Sequence, residues 1–206
     1  MKNNIILLGS GGHAISLYGI LKAQDSEITA IFSPKIEESK NNFPNLQYFE
    51  SDENIKIFSK EDIHIVNGVG ALPNDTKRND IQMKFKNWGY SFLTLVSNTA
   101  CVSEGVVLGE GVQVMNSVTV NSNAKIGFGT ILNTGTIVEH DCEIGSNCHL
   151  APGSIICGDV KIGNDVFVGP GSILTRGISI GRGAIIGAGS RILNDVKSKK
   201  KVIQRI

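Results

Sequence analysis

The sequence predicts two parts: a small half-Rossmann-like α/β domain over residues 1–95, then a parallel β-helix of hexapeptide repeats over 96–206 with a short tail. Three observations carry this prediction. Every sixth residue from Val96 to Ile192 is Val, Leu or Ile, seventeen positions without a miss. The residue four places after each aliphatic is mostly small, as in Ala124, Thr130, Thr136, Cys142, Cys148, Ser154, Ser172, Ala184 and Ser190. Before the repeat, apolar strand-like runs alternate with helical stretches and end in glycines. Six is neither a helical nor a simple strand period. One aliphatic per six therefore means a solenoid whose short faces each send one side chain inward. Glycine follows the aliphatic at Gly109, Gly127, Gly145, Gly163, Gly169, Gly181 and Gly187, where corners turn sharply. With three faces and about 18 residues per coil, residues 97–192 make roughly five coils, and no turn between Val102 and Ile192 is lengthened.

The N-terminal elements follow in order. Ile5–Leu8 is a buried strand, followed by the turn Gly9-Ser10-Gly11-Gly12-His13 and a helix over roughly Ala14–Ala23. Ile28–Phe32 is a second strand. Ser33 to about Glu53 is expected to be irregular, because Pro34 and Pro44 oppose regular structure. Ile63–Val66 is a third strand, and Asp75–Trp88 a helix with Asn74 as its N-cap. This alternation implies a small parallel sheet. A glycine-rich turn between first strand and first helix exposes backbone N–H groups that suit a phosphate or carboxylate. The pattern is not a full GxGxxG, since Ala14 holds the third glycine position, and no acid ends the second strand. A single nucleotide or nucleotide-sugar fits it better than a dinucleotide.

Composition excludes several classes. The net charge of +1 gives no global field to recruit nucleic acid or a membrane surface. Met-Lys-Asn-Asn precedes only four apolar residues, too few for a secretory segment, and no apolar run approaches a membrane span. A cytoplasmic location is expected. The four cysteines show no metal-ligand spacing, and Cys142 and Cys148 occupy small inward slots as buried thiols. The basic tail (Lys197, Lys199, Lys200, Lys201, Arg205) is expected to be a solvated cap.

The chemistry is expected at His140. It stands in Glu139-His140-Asp141, two places after inward Val138, so it projects outward beside carboxylates that can fix its tautomer. Gly158 lies 18 residues on, one coil later, so the two should stack about 4.8 Å apart. A general base beside an exposed backbone N–H can deprotonate a nucleophile and hold an oxyanion, which is acyl-transfer chemistry. A metal site is disfavoured. His149 is nine residues from His140, no third histidine joins them in the repeat, and His64 lies in the other domain.

The hexapeptide array, the GSGGH turn and the segment IVEHDCEIG together resemble the NeuD/PglD family of left-handed β-helix sugar acetyltransferases. That family comprises sialic-acid O-acetyltransferases and bacillosamine-pathway N-acetyltransferases. The resemblance covers essentially the whole chain. It implies that His140 is the general base, that Asp141 orients it and that Gly158 supplies the oxyanion amide. It implies that His149 lies near the acetyl group and Asn133 lines the acceptor site, while Gly11, Gly12 and His13 hold the nucleotide. It further implies a homotrimer with sites between subunits. Acetyl-CoA would lie along the groove, its pantetheine meeting Gly169, Gly187 and Ala188 and its phosphates meeting Arg176, Arg182 or Arg191. Two departures stand out: Ser33-Pro34 replaces acidic residues after the second strand, and Asp195-Val196-Lys197-Ser198 replaces a Gly-x-Pro-Ala segment.

The expected function is acetyl-CoA-dependent N-acetylation of a nucleotide-linked amino sugar in bacterial surface-glycan biosynthesis. O-acetylation of a sialic acid or related sugar is the alternative. Two readings from other classes are a non-catalytic hexapeptide scaffold and a γ-carbonic-anhydrase-like metalloenzyme.

Overall fold

The computed structural model of the protein describes residues 4–34 and 42–203. The chain divides into two compact units, Met1–Leu93 and Thr94–Ile206, two residues earlier than the sequence boundary.

In the first unit, strands β1 (Asn4–Leu8), β2 (Ile28–Phe32), β3 (Gln47–Phe49) and β4 (Ile63–Asn67) form one parallel sheet in the order β3-β2-β1-β4. The strands are apolar runs because both faces are covered, as parallel sheets require. Ile6, Leu8, Ala30, Phe32, Ile63 and Ile65 pack with Ile55, Phe85, Tyr90 and Phe92 in one core. Phe92 makes an isolated bridge beside Ile65, a vestige of a fifth strand.

Several local expectations are corrected. Helix α1 spans Gly12–Ala23, starting two residues before the predicted Ala14. The segment expected to be irregular holds β3, and a 3-10 helix at Asp52–Ile57 begins at its end. Short alternation and proline flanks hid the strand, but pairing with Ala30, Ile31 and Phe32 stabilises it. Helix α2 is Lys77–Asn87, and Asn74 does not cap it. Asn74 adopts φ +63 in the preceding loop, while the Asp75 carboxylate accepts from the Lys77 N–H at 2.9 Å.

Among the described residues the second unit contains eighteen two-residue strands, from β5 (Leu95–Val96) to β22 (Lys201–Val202), in three parallel sheets of seven, six and five. These are the three faces of a β-helix. The first face carries β5, the second begins with β6 (Cys101–Val102) and the third with β7 (Val107–Leu108). Register advances 18 residues per coil, as in Ile131↔His149↔Phe167. From Val114 to Ile192 every sixth aliphatic is buried, whereas Val96, Val102 and Leu108 in the first coil are half-buried. Each such burial is worth roughly 1.5–3 kcal/mol, so the repeat is its own core.

The small inward residues are mostly polar, and geometry gives the reason. Thr130 Oγ1 donates to the Gly145 carbonyl and Ser172 Oγ to the Gly187 carbonyl, both at 2.8 Å. The Cys142 and Cys148 thiols repeat this contact toward Cys157 O (3.2 Å) and Gly163 O (3.1 Å). They satisfy corner carbonyls that the strand ladder cannot reach. Burial raises Cys142 to about 11 and Cys148 to about 12, so neither is a nucleophile at neutral pH. Iodoacetamide at pH 8 should therefore leave both unmodified in the native protein and label both in guanidinium. Native labelling of either, read by mass spectrometry, would contradict the packing.

The tail joins the solenoid. Val196 bridges Ile180, and β22 pairs with β20 (Ile185–Ile186) in a final coil shortened by two residues. Lys197, Lys199 and Lys200 stay exposed on this closing half-coil, as does Lys201 within β22. Arg205 lies outside the described residues. Among the described residues, no helix is long and apolar enough to cross a membrane.

Candidate active site

The turn between the second and third faces builds the best-formed cluster of polar side chains. β12 (Ile137–Val138) ends the second face and β13 (Glu143–Ile144) opens the third, leaving Glu139, His140 and Asp141 at the corner. Asp141 has φ +60, a left-handed conformation that Asp and Asn tolerate better than other non-glycine residues. It swings the carboxylate back onto the preceding ring: His140 Nδ1 lies 2.7 Å from Asp141 Oδ2. Asn123, one coil earlier, donates to the other carboxylate oxygen at 3.0 Å. These two hydrogen bonds, His140 first, hold the exposed Asp141 carboxyl below its ordinary range, with a smaller contribution from the charge of Arg176. Asp141 therefore stays an anion and an acceptor at neutral pH. An acceptor at Nδ1 places the proton there and leaves the lone pair on Nε2. Asn121 fixes Glu139 in the same way, at 2.9 Å.

Below the ring lies Gly158. A Cβ built on it would sit 2.6 Å from His140 Nε2 and 2.8 Å from Cε1. The predicted stacking is present, and the basic nitrogen is the atom that faces the glycine. Asp159 N–H donates to the His140 carbonyl at 3.0 Å, and Gly177 N–H to the Gly158 carbonyl at 3.0 Å, locking consecutive coils in register. The Gly158 N–H itself makes no hydrogen bond among the described residues. An imidazole nitrogen thus lies against a glycine whose N–H the fold leaves unused.

The other candidates lie elsewhere. Asn133 turns the edge between the first and second faces, and His149 stands on the first face in β14 (His149–Leu150). Asn133 Nδ2 and His149 Nε2 are 3.1 Å apart, and Phe167 meets the His149 ring edge-on at 5.3 Å. Phe167 was missed by the sequence argument, although its place 18 residues after His149 marks it. Gly169 and Gly187 follow Asn133 at multiples of 18 on that same edge, with Ala188 beside them. A Cβ on Gly169 would lie 2.5 Å from Ala188 N, so close coil stacking alone requires that glycine. His140, Asp141 and Gly158 thus occupy one edge of the prism, and Asn133, Gly169, Gly187 and Ala188 another. The second face, with outward Ile137, Ile155 and Ile173, separates them. Among the described residues, no group of three His, Cys, Asp or Glu side chains could hold a metal ion.

In the first unit, Gly11 is the N-cap of α1, and Gly12 and His13 open the helix. No side chain caps this end, its first turn carries no acid, and the space above Gly11 and Gly12 is open. Sheet order reverses between β1 and β4, so this turn stands at the topological switch point where ligands of open α/β sheets bind.

Residues 123–158 and 159–194 each match the family model for the bacterial transferase hexapeptide (six repeats). No curated protein matches the chain. Among solved structures, a histidine-to-alanine mutant of GDP-perosamine N-acetyltransferase from Caulobacter crescentus, in complex with CoA and GDP-perosamine, superposes with a TM-score of 0.88 at 28% identity. That match covers 99% of this chain and 95% of the other. PerB from the same organism, in complex with CoA and GDP-perosamine, gives 0.83 at 29% identity over 96% and 92%. The acetyltransferase domain of PglB from Neisseria gonorrhoeae FA1090, in complex with acetyl coenzyme A, gives 0.88 at 23% identity over 98% and 96%, a likeness of fold. With its α/β unit, its hexapeptide coils and its His140–Gly158 corner, the chain is similar over nearly its whole length to sugar acetyltransferases of the left-handed β-helix class.

Proposed function

We propose that the protein transfers acetyl from acetyl-CoA to the amine of a nucleotide-linked amino sugar, in bacterial surface-glycan biosynthesis. The observation that carries this is the His140 ring, hydrogen-bonded to Asp141 at Nδ1 and presenting Nε2 over Gly158. The sugar amine attacks the thioester carbonyl, and a C–N bond forms. Nε2 accepts the proton the nitrogen sheds, and the Gly158 N–H donates to the developing oxyanion. Collapse of the tetrahedral intermediate breaks the C–S bond and releases CoA, whose sulfur takes the proton back from the imidazolium. Asp141 stabilises that transient cation.

The active assembly in this proposal is a homotrimer. Ile137, Ile155 and Ile173 run along the second face, while Lys125, Glu143 and Lys161 line the third. The charged face suits water, and the apolar face suits a second copy. Such packing would bring the His140 edge of one subunit toward the Asn133 edge of its neighbour and give acetyl-CoA a groove between them. His149, Gly169, Gly187 and Ala188 would then line the thioester arm, and Asn133 the acceptor. Gly11, Gly12 and His13 would hold the nucleotide diphosphate.

The test is thiol release from acetyl-CoA with GDP- or UDP-linked 4-amino sugars and, separately, with free sialic acid. Turnover with a nucleotide-linked amine is expected. Turnover with sialic acid alone would make the protein an O-acetyltransferase, and silence with all acceptors would favour the scaffold.

A further inference from the structure

We infer that Arg78 is a positioning residue for the nucleotide, acting through the loop after β4; this rests on the acceptor proposed above. Arg78 is the second residue of α2, yet it is only 3% exposed. Its Nη1 donates to two carbonyls of the loop, Asn67 O at 2.8 Å and Val69 O at 2.6 Å. Buried Asn67 completes the clamp. Its Oδ1 accepts from the Val69 N–H at 3.1 Å, and its Nδ2 donates to the Arg78 carbonyl at 3.2 Å and to Gln82 Oε1 at 3.0 Å.

The clamped loop packs against the β1–α1 turn at the switch point. Gly68 N–H donates to the Leu8 carbonyl at 2.8 Å. A Cβ on Gly68 would fall 2.6 Å from that oxygen and 2.7 Å from Ala14 Cβ, so the loop lies flush against the start of α1. Gly70 faces His13, its would-be Cβ 3.7 Å from that residue's Cβ. Whatever the β1–α1 turn binds, residues 68–70 border it.

Stability alone does not account for this network. Burial drives the Arg78 guanidinium from 12.5 down to about 9, so the charge is held at a cost. The Gln82 Nε2 is buried with no partner among the described residues. An apolar side chain in place of Arg78 would fill the site without the cost of a buried charge, but it would leave the two loop carbonyls unanchored. What the arginine supplies is a fixed loop path.

The experiment compares wild type, Arg78→Met and Arg78→Lys with GDP- and UDP-linked 4-amino sugars, each variant first checked for cooperative thermal unfolding. In folded Arg78→Met the acceptor KM should rise about tenfold or more, while the acetyl-CoA KM and the saturated kcat stay within about twofold. Arg78→Lys restores a donor but not the fork, and should fall between the two. A folded Arg78→Met with unchanged acceptor KM, or with equal losses in all three constants, overturns the inference. If Arg78→Met does not fold, an unchanged acceptor KM in Arg78→Lys overturns it. Calorimetry with UDP and GDP separates the two levels. If wild type binds neither and uses neither sugar, the acceptor proposal fails and the inference falls with it. If both proteins bind a nucleotide equally well, the inference alone fails.

Discussion

His140→Ala should lower kcat about 10²–10⁴-fold, the usual worth of a positioned general base and about 3–5 kcal/mol of barrier. It should do so without unfolding anything. The His140 side chain is about half exposed, and its hydrogen-bond partner is the adjacent exposed Asp141. Substitutions of this kind cost about 0.5 kcal/mol or less, equivalent to roughly 1–2 °C in unfolding temperature for a chain of this size. Activity by thiol release and stability by calorimetry should therefore separate. Asp141→Asn is the companion variant, because Asn also tolerates the left-handed backbone at 141, so strain does not confuse the result. It removes the orienting charge and one of the two acceptor oxygens, and its loss should be smaller than that of His140→Ala. An unfolded or fully active His140→Ala protein would remove the base from the mechanism.

The fold and the corner were legible in the sequence because both depend on counting. One aliphatic in six can only be the inward position of a coil, and the count of 18 that puts Ile137 over Ile155 also puts His140 over Gly158. The same count, applied to Asn133, shows why the rest was harder to see. Residues 133 and 140 differ by seven, so they turn different corners, and in the proposed trimer a neighbouring copy would unite them. Side-chain partners gave weaker signals. Asn123, which braces Asp141, looks like any polar corner residue, and Phe167 looks like any outward strand residue until its ring meets His149. The N-terminal unit obeys no such period. There β3 was missed because tertiary pairing outweighed a poor local pattern, and Arg78 passes for a surface charge on α2 until the loop closes over it.

Two stacked glycines make the sharper test of the site. Gly127→Ala would put a methyl carbon 2.6 Å from the Gly145 carbonyl carbon and 2.7 Å from Ser146 N, rigid backbone that cannot yield. The coils must separate, so that variant should lose stability, by the 1–3 kcal/mol typical of overpacking. Gly158→Ala collides at the same distance, but with the tip of a half-exposed imidazole that can swing away. Its fold should survive while the ring leaves Asp141 and the reacting carbon. A displacement near 1 Å is enough for about a 10²-fold loss of kcat. The alanine keeps its own N–H, so the proposed oxyanion donor is still present, and the loss measures the position of His140. That makes the pair suitable for a double-mutant cycle. In a His140→Ala background the new methyl enters space the ring has vacated, and Gly158→Ala should then cost almost nothing further. Additive losses instead would mean that Gly158 acts through its own amide geometry, independently of the base it lies beneath.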